Sequence, residues 1–123
     1  MPRFAILEHD FPALHWDFLL EHGETLLTWR LPAPPALGVR LEVEQLPNHR
    51  RMYLDYEGPV SRGRGSVRRW DSGSYEVLAW NDDGIEVQVA GHRLQARCTL
   101  RRTDPGGRWS IEWTEPFPAR PSD

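Results

Sequence analysis

The residues with the clearest chemical potential are two histidines and an aspartate near the N-terminus. His9, His15 and Asp17 fall within nine residues. Alternate residues of a β-strand point to the same face, so His15 and Asp17 are predicted neighbours, and His9 approaches from the preceding strand. Two imidazoles and one carboxylate suit Mn²⁺, Zn²⁺ or Fe²⁺ and leave positions open for water or substrate. The alternative is that these are ordinary polar side chains on the solvated face of a strand.

The rest of the chain has the alternating pattern of β-strands. Strands are predicted at residues 4–8, 15–21, 26–31, 39–46, 67–70, 75–80, 85–90, 94–100 and 109–113. Asp71-Ser72-Gly73 is predicted to form the turn of a hairpin. The fold class is therefore all-β, a small closed or nearly closed antiparallel barrel of about eight strands with little helix, because closure removes exposed edges.

Length and composition narrow the class of protein further. The 123 residues suffice for one domain, expected over residues 1–115, followed by a frayed tail at 116–123. No apolar stretch is long enough for a bilayer and the N-terminus lacks a signal peptide, so we expect a cytoplasmic protein without a membrane partner. The single cysteine, Cys98, excludes an internal disulfide. All 15 basic residues are arginine, which excludes lysine chemistry such as the self-adenylation of a ligase.

Charge is unevenly distributed along the chain. The net charge of −3 argues against a protein that coats nucleic acid by bulk charge. Residues 50–69, however, contain six arginines against Asp55 and Glu57, a local balance of +4. Such a stretch is typical either of a solvated surface or of a local phosphate-binding surface.

Several separated motifs resemble those of the 3′-phosphoesterase domain of bacterial DNA ligase D, here as a stand-alone member. They are Arg3-Phe4, Glu8-His9-Asp10, the LHWDFLLE segment at 14–21, Trp29-Arg30-Leu31-Pro32, His49 with Tyr53 and Asp55-Tyr56-Glu57-Gly58, and Trp70-Asp71-Ser72-Gly73. Because the spacing is kept at several motifs between residues 3 and 113, the resemblance is more specific than one short pattern.

The resemblance implies a β-barrel that holds Mn²⁺, with Zn²⁺ or another divalent cation as the alternative, through His9, His15 and Asp17. It implies that His49 and Tyr53 bind or protonate the scissile phosphate as charge builds on its oxygens. The implied reaction removes a terminal ribonucleotide and then the 3′-phosphate from DNA 3′ ends during non-homologous end joining. The implied partners are nucleic-acid 3′ ends and a separate DNA ligase or polymerase.

Further residues are expected to support this site. Glu21 is predicted to orient a ligand histidine, and Arg50, Arg62 and Arg64 are predicted to bind phosphate. The family has an arginine two residues after the aspartate, where this sequence has Leu19. Losing such a group costs about 10²–10³ in rate unless another replaces it. The arginines that could replace it from another strand or loop are Arg30, Arg50, Arg51, Arg62 and Arg64.

Two other functions stay open at this point. Leu19 favours a noncatalytic member of the same fold, which binds metal or DNA ends and acts as an adaptor for a separate ligase. Two histidines and a carboxylate also match the facial triad of Fe(II) oxygenases, although the chain is short for such an enzyme.

Overall fold

The computed structural model describes residues 1–118, which form β-strands and one short helix. The strands are β1 (Arg3–His9), β2 (His15–His22), β3 (Thr25–Leu31), β4 (Arg40–Arg50), β5 (Gly58–Pro59), β6 (Ser66–Asn81), β7 (Gly84–Gly91), β8 (Gln95–Arg102) and β9 (Arg108–Thr114). The helix is a single 3-10 turn, Arg51–Leu54, directly after β4.

Eight of these strands close into an antiparallel barrel. Backbone hydrogen bonds join them in the order β1-β2-β3-β4-β9-β8-β7-β6, and β6 pairs back with β1. The two-residue β5 adds a short pairing to the start of β6. The prediction of an all-β barrel of about eight strands is confirmed, and closure pairs the edges that an open sheet would leave exposed.

Large aromatic side chains fill the barrel interior. Trp29, Trp109 and Trp113 are buried there, with Phe18 packed edge-on against Trp113 at 5.1 Å between ring centroids. A barrel this small has an interior just wide enough for side chains, so bulky rings suit it. Cys98 lies in the same core, and burial raises the pKa of its thiol well above the ordinary value. It is therefore a packing residue rather than a nucleophile.

A second apolar cluster lies on the outside of the barrel. It contains buried residues of β1, β2, β3, β6 and the 3-10 helix, namely Ala5, Leu7, Leu19, Leu26, Leu54 and Val67. We refer to it as the outer cluster. Because the helix and the segment after it cover this part of the sheet, β1 and β2 are buried on both faces. Polar residues on their outer face therefore lie in largely protein surroundings.

The predicted hairpin at Asp71-Ser72-Gly73 is wrong. β6 runs through these residues, pairing with β1 along its first half and with β7 along its second. Asp71 directs its carboxylate to the β7–β8 turn instead of closing a turn of its own. Gly73 serves close strand approach, because a Cβ there would overlap with the carbonyl of Ala90.

The predicted tail lies partly beyond the residues that the structure describes. Residues 119–123 are outside them, whereas the start of the tail contacts the barrel. The Phe117 N–H donates to Gln88 Oε1 at 2.7 Å, and the Arg97 guanidinium lies over the Phe117 ring. Phe117 thus joins the described part of the tail to the barrel, and the rest of the predicted frayed tail lies outside the described residues. No helix within residues 1–118 is long and apolar enough to cross a membrane.

Candidate metal centre and the cleft around it

The β1–β2 hairpin brings the three predicted metal ligands together. His9 and His15 lie directly opposite each other in the antiparallel pair, and Asp17 follows His15 two residues along β2. Residues two apart on a strand share a face, so all three side chains lie on the outer face. The residue between His15 and Asp17, Trp16, packs against the interior core instead. The alternation read from the sequence therefore places these side chains correctly.

The ligand atoms are close enough to share one cation. His15 Nε2 lies 3.1 Å from Asp17 Oδ1, and His9 Nδ1 lies 3.6 Å from Asp17 Oδ2. One donor atom from each residue falls within 4.8 Å of the others. Metal–ligand bonds of about 2.1 Å place ligand atoms about 3–4 Å apart, so the cluster needs little contraction to bind an ion.

Each histidine uses one ring nitrogen on the backbone and leaves the other for the site. His9 Nε2 lies 2.8 Å from the Arg64 carbonyl, and His15 Nδ1 lies 2.9 Å from the Ala13 carbonyl. Since a carbonyl only accepts, those nitrogens carry protons, and in a neutral ring the other nitrogen presents a lone pair to Asp17. His15 Nε2 and Asp17 Oδ1 are buried and near each other, but neither makes a well-formed hydrogen bond within residues 1–118.

Two electron-rich atoms that face each other in a buried site require a positive species between them. A proton is one solution, since the Asp17 carboxylate raises the pKa of His15 above its ordinary value against the opposing effects of burial and of Arg30. A divalent cation is the other, because metal ligands bind in their deprotonated forms and displace that proton. At metal centres, a ligand histidine usually donates its second ring N–H to a backbone carbonyl or a carboxylate. His9 and His15 have this arrangement, so these residues fit a metal ion.

The segment between β5 and β6 holds His9 in place. The Asp10 carboxylate accepts a hydrogen bond from the Ser66 N–H at 2.8 Å, and this bond lowers the pKa of Asp10. Gly65 has a φ of +72°, and a Cβ there would lie 2.7 Å from Phe11 Cβ. Only glycine suits this close, left-handed position. Asp10 and Gly65 thus hold the loop against the end of β1. The carbonyl of Arg64, the residue before Gly65, is thereby kept in contact with the His9 imidazole.

The end of β4 and the 3-10 helix supply the predicted phosphate-binding pair. β4 continues to Arg50, past its predicted end, and Pro47 lies where the pairing with β3 shifts register, a position that tolerates a missing N–H. His49 Nδ1 lies 3.0 Å from the Pro47 carbonyl. The helix then places the Tyr53 ring edge-on to His49, 5.8 Å between centroids.

The three predicted metal ligands and the two predicted phosphate-binding residues all line one cleft of about 460 Å³. Its polar wall contains His9, His15, Asp17, His49 and Tyr53. We refer to it as the histidine cleft. The structure therefore unites the predicted metal ligands with the predicted phosphate-binding pair, although they come from β1, β2, β4 and the helix. A cation site beside two hydrogen-bonding side chains is an arrangement that can bind and polarise an oxyanion.

The three arginines predicted to bind phosphate differ in their placement. Arg50 and Arg64 line the histidine cleft, whereas Arg62 does not. The Arg64 guanidinium is turned back onto Ser61, with Nε donating to its carbonyl at 2.9 Å and a terminal nitrogen donating to its hydroxyl at 3.1 Å. Arg62 occupies a left-handed turn with φ of 64°. Of these three arginines, only Arg50 both lines the cleft and has a guanidinium that is not hydrogen-bonded to Ser61.

Arg30, one of the five arginines that could replace the family arginine, also lines the histidine cleft. It lies directly opposite Asp17 in the β2–β3 pair. The signal was present in the sequence, because Trp29 and Leu31 belong to the interior core and an alternating strand must turn Arg30 outward. What the sequence did not show is which strand lies beside it.

Glu21 does not have the predicted role. Its carboxylate accepts hydrogen bonds from the Arg51 guanidinium and from the Arg3 backbone N–H. Glu21 lies four residues beyond Asp17 on β2, about 13 Å along the strand, and this separation keeps it from a ligand histidine. Backbone carbonyls orient the two imidazoles instead.

Leu19 lies outside the histidine cleft. It is fully buried in the outer cluster, together with Leu54 of the 3-10 helix. A charged side chain at this position would enter apolar surroundings, which is unfavourable without a partner. The leucine is therefore consistent with its local packing.

The sequence of this chain is similar to one protein family and to curated proteins. The model of the DNA Ligase D 3′-phosphoesterase domain family matches residues 7–102. The chain is 33% identical over 121 residues to the multifunctional non-homologous end joining protein LigD of Pseudomonas aeruginosa, covering 90% of this chain and 14% of that protein. It is 33% identical over 115 residues to the multifunctional non-homologous end joining DNA repair protein LigD of Mycobacterium tuberculosis, covering 86% and 15%.

These similarities assign the chain to a family. The protein belongs to the DNA ligase D 3′-phosphoesterase domain family, and the matched region contains every residue described above for the histidine cleft. The chain spans about one seventh of the length of the curated relatives it matches. The family resemblance read from the sequence motifs is thereby confirmed.

Proposed function

We propose that this protein is a divalent-cation-dependent 3′-phosphoesterase that removes a 3′-phosphate or a terminal ribonucleotide from DNA ends in end-joining repair. The observation that carries the proposal is the convergence of His9, His15 and Asp17 with His49 and Tyr53 in one cleft. Membership of the 3′-phosphoesterase domain family supports the reaction class.

The metal site would be formed by His9, His15 and Asp17. Two imidazole nitrogens and one carboxylate oxygen suit Mn²⁺, and Zn²⁺ is the alternative. When bound, such a cation polarises a phosphoryl oxygen and activates water for attack on phosphorus. The chain contributes a rigid frame for it, since all three ligands stand on paired strands.

His49 and Tyr53 would act on the phosphate oxygens. The contact of Nδ1 with the Pro47 carbonyl holds the His49 ring and leaves Nε2 for the cleft. As an imidazolium, His49 can donate a hydrogen bond from Nε2 to a phosphate oxygen or a proton to the leaving oxygen. The Tyr53 hydroxyl is a second donor on the same side of the cleft, and donors of this kind stabilise charge that develops on phosphate.

The proposed partners follow from the chemistry of the product. Removal of a 3′-phosphate leaves a 3′-hydroxyl, which is the end that a polymerase extends and a ligase joins. Nucleic-acid 3′ ends are therefore the proposed substrate, and a DNA ligase or polymerase is the proposed functional partner. Two arginines of the stretch at residues 50–69, Arg50 and Arg64, line the histidine cleft and supply positive charge there.

A noncatalytic adaptor role depends mainly on Leu19. The structure weakens that argument, because Leu19 packs in the outer cluster and does not line the cleft. An Fe(II) oxygenase would use the same three ligands, but the match to the 3′-phosphoesterase domain family supports phosphoester chemistry instead. The phosphoesterase is therefore the function that we favour.

The direct test measures phosphate release from an oligonucleotide with a 3′-phosphate in the presence of Mn²⁺. His15→Ala should lower the rate by about 100-fold or more, since even groups that only support a metal ligand are worth 10- to 100-fold. His92→Ala is the matched control, because His92 is exposed in the β7–β8 turn away from the cleft. Activity that survives His15→Ala would reject the proposal, and end binding without turnover in the unmodified protein would favour the adaptor.

A further inference from the structure

We propose that Arg30 is the residue that grips the substrate phosphate, acting from β3 in place of the arginine that the family carries on β2. This inference rests on the proposed function and adds to it the group that recognises a 3′-phosphate. Four features of the structure support it: strand register, unused hydrogen-bond donors, the state of the competing arginines, and access from solvent.

Strand register places Arg30 beside the metal site. It lies directly opposite Asp17 on β2, and on its other side it lies opposite Glu44 on β4. Directly opposed residues have Cβ atoms about 4.5–5.5 Å apart and share a face of the sheet. Arg30 and His15 also line the same two clefts. Arg30 is thus a neighbour of two of the three proposed ligands in the sheet and the clefts.

At least one hydrogen-bond donor of Arg30 is unused within residues 1–118. Its Nε is buried and has no hydrogen-bond partner within the described part of the chain. A guanidinium has five N–H donors and stays charged, so a buried donor without a partner is unfavourable. Glu44 lies opposite in register yet forms no ion pair with it among residues 1–118. An incoming anion would satisfy these donors.

The competing arginines are either engaged or less favourably placed. Arg51 forms an ion pair with Glu21, and Arg64 is bonded to Ser61. Arg50 lines the cleft but is exposed, where water weakens its interaction with an anion. Arg30 is the half-buried one, so its attraction for a phosphate is screened less.

Arg30 is also accessible from two sides. A second cleft of about 730 Å³ adjoins the histidine cleft and shares His15 and Arg30 with it. Arg30 therefore lies on the wall between the two clefts. A phosphate at the metal site and the nucleic-acid strand that carries it can both approach Arg30 there. A planar guanidinium binds a terminal phosphate through two parallel hydrogen bonds, which a 3′-hydroxyl cannot accept. Arg30 would thus set the preference for 3′-phosphate ends.

The experiment compares oligonucleotides that end in a 3′-phosphate or a 3′-hydroxyl. Arg30→Gln should reduce affinity for the phosphorylated end about 10- to 100-fold, leave affinity for the hydroxyl end unchanged, and lower kcat/KM by about 100-fold. Arg30→Lys should recover part of the affinity, because it keeps the charge but not the paired donors. Arg101→Gln, an equal charge change at an exposed position of β8, is the matched control and should behave like the unmodified protein.

Calorimetric Mn²⁺ titration and thermal unfolding accompany these measurements, so that loss of metal or of fold is separated from loss of phosphate recognition. An Arg30→Gln variant that binds metal and keeps the full preference for 3′-phosphate ends would overturn the inference while the phosphoesterase stands. Loss of the preference in Arg50→Gln alone would overturn it in favour of Arg50. An unmodified protein that neither releases phosphate nor distinguishes the two ends would overturn the proposed function and, with it, the role of Arg30.

Discussion

Two buried aspartates in this barrel have similar exposure and opposite surroundings. Asp17 and Asp71 are each about 3% exposed. The Asp71 carboxylate accepts hydrogen bonds of 2.7 to 3.0 Å from the backbone N–H groups of Ser72, His92, Arg93 and Leu94. The Asp17 carboxylate faces two imidazole nitrogens, and its Oδ1 lacks a hydrogen-bond partner within residues 1–118.

The Asp71 carboxylate maintains the fold, whereas the Asp17 carboxylate is prepared for a ligand. Backbone donors that converge on Asp71 stabilise its charge and tie β6 to the β7–β8 turn, so this group is satisfied by the fold alone. Asp17 is buried without such donors, which leaves it dependent on a positive species. Sites that await a ligand commonly reduce stability in this way, and binding then recovers the free energy.

The largest effect is expected from Asp17→Ala. Removal of this ligand should weaken Mn²⁺ binding by about 100-fold or more, because it leaves only the two imidazoles. The free energy of unfolding without metal should change by less than about 1 kcal/mol, since no satisfied hydrogen-bond network is lost. Thermal unfolding with and without Mn²⁺ measures both quantities, as bound metal raises the unfolding temperature of the unmodified protein by mass action.

A large loss of stability in metal-free Asp17→Ala would contradict the comparison, since it would mean that Asp17 also maintains the fold. Retention of the metal-dependent rise in unfolding temperature would show that the cation binds elsewhere.

Asp71→Ala should produce the reverse result. Loss of the carboxylate leaves four backbone N–H groups, three of them part-buried and one buried, without this partner, so we expect the free energy of unfolding to fall by about 3 kcal/mol or more. Mn²⁺ affinity of the folded fraction should stay unchanged. Urea unfolding gives the stability, and alkylation of the buried Cys98 reports transient opening of the barrel. Equal stability of the variant and the unmodified protein would show that the turn does not need this carboxylate.

A smaller effect is expected from glycines on β7. A Cβ at Gly91 would overlap with the Asp71 carboxylate, whereas a Cβ at Gly84, on the same strand, has its nearest neighbour at 3.7 Å. Gly91→Ala should therefore lower the free energy of unfolding by about 2–3 kcal/mol, and the matched Gly84→Ala should change it by less than about 0.5 kcal/mol. Urea unfolding of both variants is the measurement. Similar values for the two would show that the Asp71 carboxylate moves aside without loss.

The sequence predictions succeeded where a feature depends on residues close together in the chain and failed where it depends on residues far apart in the chain. His15 and Asp17 were placed correctly because a strand fixes the direction of residues two apart. Asp71 was misread because its partners in the β7–β8 turn lie about 20 residues further along the chain. Glu21 was misassigned for a related reason, since sharing a face with the ligands does not bring it near them along an extended strand.

The sequence by itself determined that the chain forms alternating strands, that the residues of the metal cluster share one face, and that its motifs match one family. These features follow from side-chain periodicity and local spacing. The tertiary structure decided that β6 closes the barrel on β1, that Leu19 packs in the outer cluster, and that Arg30 lies beside Asp17. Those outcomes depend on strand register, bulges and the path of the 3-10 helix, which are set by packing between segments far apart in the chain.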